Sequence, residues 1–80
     1  MLDKIYNYVS DNDFRLIIFE DKINVVNYKI LLSLEDDYIS FKSINKKISI
    51  YGNNLEVRKI LKDEMLIVGN LSKIEVLNEK

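Results

Sequence analysis

Eighty residues make one small domain, in which folding buries only about 60 to 65% of the surface that the unfolded chain exposes. Cysteine and histidine are both absent, which argues against a disulfide framework, a thiolate metal site and any Ser/His or Cys/His triad. Charge is nearly balanced, 12 Lys plus Arg against 13 Asp plus Glu, and so offers no basic footprint for a phosphate backbone.

The first segment, "MLDKIYNYVSDND", places Leu2, Ile5, Tyr6 and Val9 at the i, i+3, i+4, i+7 spacing of one helical face, which predicts a short amphipathic helix over residues 1–12. Ser10, Asp11, Asn12 and Asp13 stop the pattern, because their side chains compete for backbone hydrogen bonds and favour turns. The start lacks the basic residues and apolar stretch of a secretion signal, and no apolar run reaches the roughly 18 residues of a membrane span. A cytoplasmic location is the expectation.

From Phe14 the period changes to two. Runs rich in Ile, Val, Leu, Phe and Tyr alternate with clusters of Asn, Asp, Glu, Lys and Gly, predicting strands at 15–19, 22–26, 29–34, 37–43, 46–51, 54–60, 64–68 and 72–77. Connections this short leave no room for crossover helices, which excludes a parallel α/β sheet. Ile39 and Phe41, Ile48 and Ile50, Leu55 and Val57, and Ile74 and Val76 should form the buried face, with Ser40, Lys42, Lys47, Ser49, Glu56, Arg58 and Glu75 facing water. The run "RLIIF" and residues 65–68 are apolar on both faces and should be covered more fully. Scattered Lys and Glu should blunt the sheet edges.

The chain repeats itself. Ile50-Tyr51-Gly52-Asn53 matches Ile67-Val68-Gly69-Asn70 at an offset of 17 residues, and Leu55-Glu56-Val57 then matches Ile74-Glu75-Val76 after a two-residue insertion. Each copy reads as strand, Gly-Asn corner, strand, since glycine and asparagine accept the positive φ of a tight turn. Asn27, Asn45, Gly52 and Gly69 are thus the predicted structural turn positions. Neither GxGxxG nor GxxxxGK[ST] occurs, so the glycines do not mark a phosphate loop. The expected architecture is all-β, a single domain over residues 1–80 with its β region at 14–77. Its eight strands form an antiparallel, sandwich-like meander, or alternatively a short solenoid in which the near-17-residue units stack as coils.

Groups that could carry chemistry are better explained by structure. Glu35-Asp36-Asp37 lacks the remaining ligands of a calcium loop and reads as a solvated turn, as does Asp11-Asn12-Asp13. Paired carboxylates for glycoside hydrolysis need a cleft that a domain of this size barely accommodates. Tyr28, Tyr38, Tyr51 and Phe41 could stack single-stranded bases, yet no basic groove accompanies them, and core or rim aromatics are the simpler reading. No catalytic, cofactor-binding or metal-binding residue is assigned, and neither nucleic acid nor a small-molecule substrate is expected as a partner.

Beyond Phe14 the segment "INVVNYKILLSLEDDYISFKSINKKISIYGNNLEVRKILKDEMLIVGNLSKIEVL" resembles, in order and spacing, the YabP/YqfC family of small sporulation proteins. The resemblance lies in Asn27-Tyr28-Lys29, Ile39 and Phe41, the run from Ile50 to Val57 and the run from Met65 to Ile74. Ile30 and Asn45 stand where the family has glycines, and Phe14-Arg15 where it has Leu-Pro; Asn45 still tolerates left-handed geometry, whereas Ile30 implies a differently shaped turn near Tyr28. This resemblance implies a non-enzymatic accessory protein of endospore formation in the mother cell, acting beside a membrane-protein partner in cortex or envelope assembly and peripheral to the membrane through it. Such a protein works through a surface: the stripe of Leu2, Ile5, Tyr6 and Val9, or an open sheet edge, with homo-oligomers open to it. The alternative is a small nucleic-acid-binding barrel of Sm or OB type.

Overall fold

The computed structural model describes residues 13–79, all of them strands and short connections. The strands are β1 (Arg15–Ile18), β2 (Lys22–Val26), β3 (Ile30–Leu34), β4 (Tyr38–Lys42), β5 (Lys46–Leu61) and β6 (Glu64–Asn78). They form one antiparallel sheet in the order β1-β2-β6-β5-β4-β3. All-β is therefore correct, and eight strands is not: the segments predicted at 46–51 and 54–60 are one strand, as are those at 64–68 and 72–77. The Gly-Asn pairs bend these strands without ending them. The solenoid is overturned too, because the two repeat units run antiparallel, with Ile50 opposite Ile74 and Val57 opposite Ile67. The helix predicted over residues 1–12 lies outside the described residues.

Folding of the sheet follows from its order. Strands β2 and β3 lie four places apart, about 19 Å in a flat sheet at the usual strand spacing. Only Asn27, Tyr28 and Lys29 join them, a span of roughly 14 Å at full extension. The sheet must curl until its halves face each other. Asn27 turns the chain with φ 65°, its N–H donates to the Asp63 carbonyl at 2.8 Å and its side-chain amide to the Asp13 carbonyl at 2.7 Å.

Curling happens where β5 and β6 cross the repeat. Register shifts flank the pairing of Gly52 with Leu71 and Asn53 with Asn70, and such bulges bend a ladder sharply. Gly69 has φ 132° and Asn54 φ 55°. Gly52 is different from the expected turn glycine, having no positive φ; a β-carbon there would collide with the carbonyl oxygen of Asn70. Asn45, in the β4–β5 turn, also lacks a positive φ. The backbone N–H groups freed at the corner find partners in the β3–β4 turn: Leu55 donates to the Asp36 carbonyl at 2.8 Å and Gly52 to the Asp37 carbonyl at 3.2 Å.

One half of the folded sheet contributes Ile39, Phe41, Ile48 and Ile50 to the core, and the other Ile23, Val25, Met65 and Ile67, with Leu55 at the bend. The alternation thus locates the centre of the core correctly. It fails at Val76, half exposed, and at "RLIIF", where Ile17, Ile18 and Phe19 are exposed because β1 is an edge strand. It fails in the opposite sense at Ser40 and Ser49, which are buried on the outer face beneath Tyr38 and Tyr51.

Candidate interaction edges

Among the described residues, folding a sheet through two long strands leaves four free edges. β1 and β3 end the strand order; β5 beyond the corner pairs only with β6, and β6 beyond the corner pairs only with β5. An unpaired strand presents free N–H and C=O groups to any chain that can extend the sheet. Charge protects the long-strand edges as expected, with Glu56, Arg58 and Lys59 on β5 and Lys73 and Glu75 on β6. At the ends of the strand order that expectation is corrected: β1 carries only Arg15, and β3, "ILLSL", carries no charge. Ile30 is 56% exposed and Leu34 57%, and Leu31 and Leu32 are exposed with them. A bulge between Leu31 and Ser33 interrupts its pairing with β4.

The predicted turn positions cluster differently from the reading along the chain. Gly52 and Gly69 come together at the corner, while Asn27 and Asn45 line a cavity of about 240 Å³ with Asp13, Phe14 and Lys46 at the other end of the fold. Leu2, Ile5, Tyr6 and Val9 belong to the segment outside the described residues. The free edges are what reading along the chain could not locate, since a residue's neighbours across the sheet decide whether its strand is an edge.

Reactive chemistry finds little support among the described residues: no three or more Asp and Glu side chains converge to hold a metal ion. Glu35, Asp36 and Asp37 are exposed, and their turn serves the corner through backbone carbonyls. Asn24 Oδ1 is buried without a hydrogen-bond partner, on a β2 position between Ile17 and Leu66. No helix is long and apolar enough to cross a membrane among the described residues.

Among the described residues, the outer face of β4 and β5 holds the only perturbed titrations. Tyr38 and Tyr51 sit opposite each other with ring centroids 5.0 Å apart, and Lys73 Nζ lies 4.8 Å from the centre of the Tyr51 ring. Hydroxyls of Ser49, 3.2 Å away, and of Ser40 favour the Tyr38 phenolate and lower its pKa; partial burial, then the charge of Glu75, raises that of Tyr51. On alkaline titration followed by ring NMR signals, Tyr38 should ionise before Tyr51, and Ser49→Ala should narrow the gap by raising Tyr38. An unchanged Tyr38 in that variant would show that the serine contact is absent in solution. The linkage signs oppose: the Tyr51 contribution to stability is lost as pH rises through its raised value, and the Tyr38 contribution is gained above the usual 10.0.

Fold and surface together define a small, folded, antiparallel β protein with two apolar edges. No known protein family, curated protein or solved structure matches the chain.

Proposed function

We propose that this chain is a non-enzymatic accessory protein that works through a sheet edge, and that it acts in endospore formation, in the mother cell, beside a membrane-protein partner. The observation that carries the first part is the exposure of Ile17, Ile18 and Phe19 at one end of the strand order and of Ile30, Leu31, Leu32 and Leu34 at the other. Apolar edges invite strand addition, in which backbone hydrogen bonds give affinity and alternate side chains give specificity. The sporulation setting rests on the family resemblance of the residues from Asn27 to Ile74. A fluorescent fusion in a spore-forming host tests both parts. Recruitment to the mother-cell membrane, lost when Ile17 and Ile18 are replaced by lysine in a chain that still folds, supports the reading. Diffuse fluorescence with normal spores in a deletion strain overturns it, and salt-sensitive retention of single-stranded RNA would favour the tyrosine pair as a stacking platform instead.

A further inference from the structure

Of the four free edges, β3 alone carries no charge, and its two ends carry opposite charges. Lys29 precedes it, Glu35-Asp36-Asp37 follow it, and all four side chains are exposed. Among the described residues none of the four takes part in a salt bridge, whereas Lys22, Lys42, Arg58 and Lys73 each have one. A strand with a cation at one end and anions at the other is complementary to its own antiparallel copy.

We infer that β3 is a self-association edge, along which two copies of this chain pair about a two-fold axis near Leu32. Antiparallel pairing sets Lys29 of each copy beside the acidic turn of the other, and the two sheets become continuous across the axis. Nothing charged has to leave water in the middle of the seam, because Ile30 to Leu34 hold only aliphatic groups and one serine. Two-fold pairing uses the same patch on both copies and therefore closes at a dimer. Edge β1 stays free. β3 fits this role better than β1, where Arg15 would meet the seam and already has a partner. Seams of five residues a side are small as specific interfaces go, so the dimer should dissociate on dilution.

The pairing rests on the reading that this chain works through its edges and not on the sporulation setting, and the two fail separately: membrane recruitment is read at β1 in cells, dimerisation at β3 with purified protein. Sedimentation equilibrium of the full chain, with circular dichroism to check folding, is the test. The wild-type chain should dimerise reversibly, and Leu32→Lys, at an exposed position, should be a folded monomer at the same concentrations. Lys29→Glu should weaken the dimer roughly tenfold by turning two attractions into repulsions. Adding Glu35→Lys and Asp36→Lys to that variant should restore most of the loss. Ile17→Lys, on the other end edge, should leave dimerisation unchanged. A wild-type chain that stays monomeric up to about 1 mM would overturn the inference and leave β3 to a different occupant. So would a dimer that survives Leu32→Lys or is lost with Ile17→Lys, and a failure of the triple charge swap to rescue would overturn the antiparallel register.

Discussion

Gly52→Val should abolish the cooperative thermal unfolding of this protein, and Gly69→Val should come close to doing so, for two different reasons. At Gly52 the obstacle is space: the added β-carbon meets the backbone carbonyl of Asn70, which β5–β6 pairing holds in place and which no side-chain rotation can relieve. Overpacking of this kind costs about 1–3 kcal/mol when side chains can give way, and more when they cannot. At Gly69 a left-handed φ of 132° adds strain of about 1–3 kcal/mol to a β-carbon that would stand 2.5 Å from the Asn54 carbonyl oxygen. Total stability for 80 residues is only about 4–12 kcal/mol. Each substitution also unbends the sheet, since both glycines sit where β5 and β6 turn together. Differential scanning calorimetry reads the outcome: a Gly52→Val midpoint within a few degrees of wild type would mean that the two strands do not approach closely at the corner. Ala at Gly52 should also be strongly destabilising, which separates crowding from any special dislike of valine.

Why these glycines look like turn residues along the chain is plain from their chemistry. A bulge between paired strands and a turn between successive ones draw on the same permissive residues, so Gly-Asn alone does not tell them apart. The distinguishing fact is which backbone lies opposite, and Asn70 is far from Gly52 in sequence. A subtler sign was there: the Gly-Asn pairs lie on either side of Lys62-Asp63, ten residues before it and seven after, as an antiparallel hairpin turning there allows once β5 carries bulges. Similar logic separates the legible core from the illegible edges. Ile39, Phe41, Ile48 and Ile50 alternate and are completely buried, because central strands have neighbours on both sides and local pattern decides which face is inward. "RLIIF" has an equally apolar composition but is exposed at Ile17, Ile18 and Phe19, because strand order, which no local period encodes, places it last in the sheet. The candidate site was therefore readable only as a type of surface, a sheet edge, and its location needed the pairing.

Phe41→Ala should cost about 3–5 kcal/mol, a large share of the whole. Among the described residues Phe41 is the largest side chain that is completely buried, and it holds the two halves of the folded sheet together. Its ring packs on Phe14, with centroids 6.2 Å apart, and takes Tyr28 edge-on at 6.4 Å. Those two contacts come from the segment leading into β1 and from the link between β2 and β3, so one ring on β4 packs against both ends of β1–β2 as well as its own sheet neighbours. The alanine variant removes that ring from between the halves and leaves a cavity that β-sheet backbone cannot collapse to fill. For a domain of this size each kcal/mol is worth roughly 4–8 °C, so the midpoint should fall by about 12 °C at the least. Leu34→Ala makes the control, because it removes an exposed aliphatic side chain from the strand that pairs with β4. If both variants lost the same small amount of stability in a urea titration, Phe41 would not be the keystone between the halves, and the fold would depend on its ladders more than on its core.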